Sequence, residues 1–152
     1  LARNYQDSAE TAQRGLKGAS DEAAKTLKQL YGFSLLAQAS RSYARNNVKS
    51  ATAEIKKATP SLEGSDDLVF AQGVLAYASG KHDAAARMWK KLDGRKIPEV
   101  YANLGIAADD AGDRKGAYDL YRRYVAAGGK ESERVRRWIE LKEKFFSFRE
   151  GQ

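Results

Sequence analysis

A single histidine, His82, and the absence of cysteine leave this 152-residue chain almost nothing from which to build a transition-metal site or a thiol nucleophile. The run Gly128-Gly129-Lys130 has the look of a phosphate loop. Glu131, however, stands where Ser or Thr would reach magnesium, and Tyr124 where the first glycine belongs. Two carboxylate pairs, Asp66-Asp67 and Asp109-Asp110, are of the type used in acid–base work, but no nucleophile, phosphate cradle or cofactor fingerprint accompanies them. The expectation is a non-enzymatic protein with no catalytic residue, no cofactor and no metal. The chemistry left to it is recognition.

One pattern, occurring twice, organises the elements that must present such a surface. Gly73, Ala76, Gly80, Ala85 and Trp89 return as Gly105, Ala108, Gly112, Ala117 and Tyr121, a repeat of helix, glycine turn and helix. Gly80 and Gly112 follow helical stretches where a residue of positive φ ends a helix cheaply. Gly73 and Gly105 lack side chains, which lets the backbones of two antiparallel helices approach closely with Ala76 and Ala108 beside them, while Trp89 and Tyr121 fill the space that Ala85 and Ala117 leave. Counting back from Gly73 finds a weaker copy, Leu35-x-x-Gln38-Ala39-x-x-Ser42, a turn at Asn46-Asn47, then Ala51, Ile55 and Ala58.

Tyr101-x-x-Leu104-Gly105-x-x-Ala108 followed by Ala117-x-x-x-Tyr121 resembles the tetratricopeptide repeat, W-x-x-L-G-x-x-Y then A-x-x-x-F. The resemblance implies an all-α fold of antiparallel helix pairs stacked as a right-handed superhelix, an α-solenoid. The expected layout is one domain over 1–152. It has a helical hairpin or degenerate repeat at 1–31, repeats at 32–65, 66–97 and 98–131, and a capping helix at 132–149. In the hairpin, Tyr5, Ala9, Ala12 and Leu16 share one face; Gly18 makes the turn, Ser20 caps, and Ala23, Leu27 and Leu30 form the second face. Thr59 to Asp67 and Gly128-Gly129 read as solvated connectors. In the last helix Val135, Trp138, Ile139, Phe145 and Phe146 share an arc that would close the array, with Arg134, Arg136, Arg137, Glu140 and Lys144 outside it.

The family generally binds peptides along the face lined by the first helix of each repeat. Carried over by position, the resemblance places there Phe33, Leu36, Ala37, Ser40 and Tyr43; Phe70, Val74 and Tyr77; and Asn103, Ile106, Asp109 and Asp110. Acids in the last turn before Gly112 oppose the helix dipole, so Asp109 and Asp110 are expected to meet a basic amphipathic segment of a protein or peptide partner. The resemblance thus implies an interaction scaffold, of a kind frequent in bacterial envelope, secretion and motility assemblies, with the periplasm favoured over the cytoplasm.

A second reading starts from charge. The formal net charge is +7, and Lys56-Lys57, Lys90-Lys91 and Arg122-Arg123 occupy equivalent offsets, which would place a basic ladder on the second helices. Such a ladder suits an electrostatic adaptor for an acidic protein, a membrane surface or a nucleic acid. Nucleic acid is the least favoured, because no aromatic residues interleave the pairs. No run is apolar enough to span a bilayer. The chain starts with Leu, which points to processing or to a piece of something longer. Leu141 and Phe148 lie off the capping arc and are expected to serve self-association or docking of another domain.

Overall fold

The computed structural model describes residues 2–16 and 19–150, with side chains over 5–16 and 19–143. Gly18 and the side chains of Lys144, Phe145, Phe146 and Phe148 therefore lie outside the described residues. Those described form eight helices and no strand: α1 (Ala2–Gly15), α2 (Asp21–Ala44), α3 (Val48–Leu62), α4 (Asp66–Ala78), α5 (His82–Trp89), α6 (Glu99–Asp110), α7 (Arg114–Ala126) and α8 (Ser132–Glu150). The protein is all-α. It divides into two compact units, Leu1–Lys81 and His82–Gln152, within each of which helices adjacent in sequence pack on one another.

The turns explain the sequential packing. At Asn46, Gly80, Gly112 and Gly128 the chain takes positive φ, 60°, 75°, 85° and 73°. In each case the N–H of that residue and of the next reach back to two carbonyls of the helix just ended, as Gly112 N to Asp109 O and Asp113 N to Ala108 O do at 2.9 Å. This double hydrogen bond is the Schellman closure, and glycine adopts it without the steric cost a Cβ adds. Two of these turns cap the following helix at once, Asn47 accepting from Ser50 N and Asp113 from Gly116 N. Ser20 occupies its expected N-cap position before α2 in extended backbone, but its side chain makes no capping bond.

In the first unit the core is formed by Leu35, Ala39, Ala51, Ile55, Ala58, Leu62 and Leu68, with Tyr31, Leu36, Ala71 and Leu75 packed against it. Ala9 and Ala12 of α1 are also buried. Two sequence expectations change here. The helix from Asp21 to Ala44 runs unbroken through the expected boundary between residues 31 and 32, so a single helix serves both the hairpin and the following pair. The expected connector from Thr59 shrinks to Glu63–Ser65, because α3 continues through Pro60 to a buried Leu62. Pro60 and Lys56, whose carbonyl loses its donor, both lie on the exposed face, where water can replace the lost bond.

In the second unit the buried large and aliphatic side chains are those of Ala85, Trp89, Val100, Ala117, Tyr124 and Ile139. Gly105 does not bring two backbones together; it lies under the Tyr121 ring, with Tyr121 Cε1 2.6 Å from where a Cβ would stand. Gly129 is likewise buried against Tyr124 rather than solvated, and the Tyr124 hydroxyl accepts from Glu131 N at 2.7 Å. Trp138 joins α8 to α7, stacking on Tyr118 at 5.5 Å and meeting Tyr121 edge-on at 5.4 Å. An ion pair from Arg122 to Glu143 ties the same two helices.

Candidate functional site

In the first unit α3 runs antiparallel to α2, joined to it by the Asn46-Asn47 turn at one end and packed on it at the other, and α4 begins four residues after α3 ends. Leu62, ending α3, covers Gly32 of α2, its Cγ lying 2.5 Å from the position of a Cβ. The start of α4 therefore sits at the Phe33 end of α2. Between these walls lies a cavity of about 320 Å³, with Ala51 and Ile55 of α3 as floor. Phe33, Leu36, Ala37, Ser40 and Tyr43 line it from α2, and Asp67, Phe70, Ala71, Val74 and Leu75 from α4. Its size is at the lower end for ligand clefts, and the lining is apolar and aromatic, as such clefts usually are. Phe33, at 45% exposure, and Tyr43, at 41%, mark the two ends.

Among the groove residues expected in this unit, Phe33, Leu36, Tyr43, Phe70 and Val74 thus meet in one cavity, whereas Tyr77 is half-buried and does not line it. Asn103, Ile106, Asp109 and Asp110 belong to the other unit and supply none of its walls. Ile106 is 44% exposed on α6. Asp110 lines a separate hollow with His82, Lys90, Leu104 and Leu120. Asp109 acts electrostatically: burial, aided by the charges of Asp109 and Asp110, pushes the Tyr121 phenol up to about 12. Burial first, then Glu143 and Asp109, also raises the Tyr118 phenol.

The acid that does line the cleft is Asp67. It stands three residues before Phe70 and seven before Val74, so one face of α4 carries all three. That spacing was visible in the sequence, but the reading of Asp66-Asp67 as part of a connector concealed it. Asp67 is exposed and has no ion pair among the described residues.

The six ladder cations are all exposed, yet they are not equivalent. Lys56 and Lys57 lie on α3, and Arg122 and Arg123 on α7. Lys90 and Lys91 fall in the turn after α5, which ends at the buried Trp89, so they stand on no helix. Arg122 is engaged by Asp119 at 3.7 Å and by Glu143. In the loop between α5 and α6, Asp93 is bound by Arg95, whose side-chain and backbone donors hold its carboxyl below the usual value.

Leu141 is 68% exposed and borders a shallow hollow with Trp138, Lys130, Arg134 and Arg137. No group of three or more His, Cys, Asp or Glu is placed to hold a metal among the described residues. None of the described helices is long and apolar enough to cross a membrane. No protein-family model matches the chain, and neither does any curated protein.

Proposed function

We propose that the chain is a non-enzymatic interaction scaffold of tetratricopeptide type, its helix pairs forming a right-handed array that recruits a segment of a partner protein into an assembly. The observation that carries this reading is the open apolar cleft between α2 and α4. Sealing a monomer would have been simpler with polar walls, whereas large apolar side chains left facing a concave opening suit a partner's side chains. Gly105 under Tyr121, with Gly80 and Gly112 closing their turns, supports the family assignment. The bacterial setting rests on the resemblance alone.

The electrostatic adaptor is the second reading, favoured by the exposure of Lys56, Lys57, Lys90, Lys91 and Arg123 and weakened by the ion pairs of Arg122. Peptides selected from a random display library separate the two. Scaffold function predicts binders that are lost on Leu36→Asp or Val74→Asp and retained on Lys56→Glu/Lys57→Glu. The opposite pattern would transfer the function to the basic surface.

A further inference from the structure

We propose that the α2–α4 cleft is directional: its occupant is an amphipathic helix of a partner, with apolar anchors along the cleft and one lysine or arginine held by Asp67 at the Phe33 end. This rests on the reading of the cleft as the interaction site. The length follows from α2, where Phe33 to Tyr43 is ten residues, or about 15 Å at 1.5 Å per residue. Three helical turns fit that span, with anchors at i, i+3 or i+4, and i+7.

The polarity follows from the walls. Asp67 is the one carboxylate among the lining residues; the remaining lining is apolar apart from Ser40 and the Tyr43 hydroxyl. Acids in the first turn of α4 are favoured by the helix dipole, and that accounts equally for Asp66 and Asp67. It does not account for which face the second acid takes. Asp67 shares the face of Phe70 and Val74, so an apolar occupant would cover its carboxylate and strip it of water unless the occupant brought a cation. Topology places the start of α4 beside the Phe33 end of α2, and Phe33 offers an exposed ring to the same cation. No carboxylate lines the cleft at the Tyr43 end, where the nearby Glu54 is not among the lining residues and accepts from the Ser42 hydroxyl, so a helix entering in the opposite sense loses this contact.

Two capped synthetic helices, identical in their leucines and differing only in lysine or glutamine one turn before the first leucine, test the proposal by fluorescence anisotropy. The lysine peptide should bind about three- to tenfold more tightly, the range between an exposed ion pair and a charge-assisted hydrogen bond. Asp67→Asn should abolish that preference, weakening the lysine peptide and strengthening the glutamine peptide until the two bind alike, because no carboxylate is then left to be stripped of water. A photo-cross-linker next to the lysine should label residues around Phe33 and not those around Tyr43. Equal binding of both peptides, or a preference that survives Asp67→Asn, overturns the directional occupant. If Val74→Asp still weakens both peptides in that case, the scaffold reading stands without it. Failure of both peptides to bind, or binding indifferent to Val74→Asp, overturns the cleft itself.

Discussion

Gly105 and Tyr121 show how a small–large pair fixes the spacing of two helices. Replacing glycine by alanine inside a helix ordinarily stabilises by roughly 0.5–1 kcal/mol. Here the new methyl would meet Tyr121, whose ring is also in edge-on contact with Trp138, so overpacking of about 1–3 kcal/mol should prevail. Gly105→Ala is expected to lose about 1–2 kcal/mol in urea denaturation, and Tyr121→Ala in the same chain should remove that penalty. Tyr121 also makes a pH prediction. Its phenol titrates near 12 when folded against about 10 when unfolded, so the folded state holds the proton longer. The resulting stability is present below pH 10 and lost as pH rises towards 12. Absorbance titration of the protein against Tyr121→Phe should show this phenol still protonated at about pH 11. Asp109→Asn/Asp110→Asn should lower the midpoint only in part, because burial is the larger cause. The repeat spacing singled out Gly105 and Tyr121 but set Tyr121 against Ala117 and Gly105 against a neighbouring backbone; their direct contact appears only in the structure. Nor could the Trp138 contact be read, since a contact between side chains seventeen residues apart leaves no periodic mark.

Helices α2, α4, α6 and α7 end where a left-handed residue stops them. Gly112→Ala should cost about 1–2 kcal/mol through backbone strain alone, since a Cβ there meets nothing within 4 Å. Thermal or urea unfolding measures that loss, and an unchanged midpoint would contradict the capping role. Pro60 is the opposite case, a breaker carried inside α3 because Leu62 beyond it is buried in the core. Pro60→Ala restores a helical N–H on an exposed face and should raise stability by about 1–2 kcal/mol, within the ceiling of about 3 for an interior proline. No gain would mean that the last turn of α3 already recovers the bond. These elements also mark where sequence reading reached its limit. Turn glycines carry their φ requirement in their identity, and Gly80 and Gly112 were legible for that reason. The continuity of α2 and the end of α3 depend on tertiary burial of Gly32 and Leu62, which outweighs local signals such as Pro60.

At the scale of the molecule, the claim is that an apolar cleft rather than net charge selects the partner. A ligand held by Phe33, Leu36, Phe70 and Val74 should keep most of its affinity as salt rises, losing only the contribution of Asp67, whereas phosphate-dominated binding would collapse. Phe33, Leu36, Tyr43, Phe70 and Val74 were reached through the tetratricopeptide resemblance, which also put Tyr77 on the same face, outside the lining. Asp67 was not, because its role needs α4 to begin at Asp66 rather than a loop to continue there. The most direct measurement is chemical-shift mapping of the isotope-labelled chain as a selected peptide is added in moderate salt. The account predicts that the perturbed amides cluster at Phe33–Tyr43, Ala51–Ile55 and Asp67–Leu75. Perturbations centred on Lys56-Lys57, Lys90-Lys91 and Arg122-Arg123, with the cleft amides silent, would contradict it.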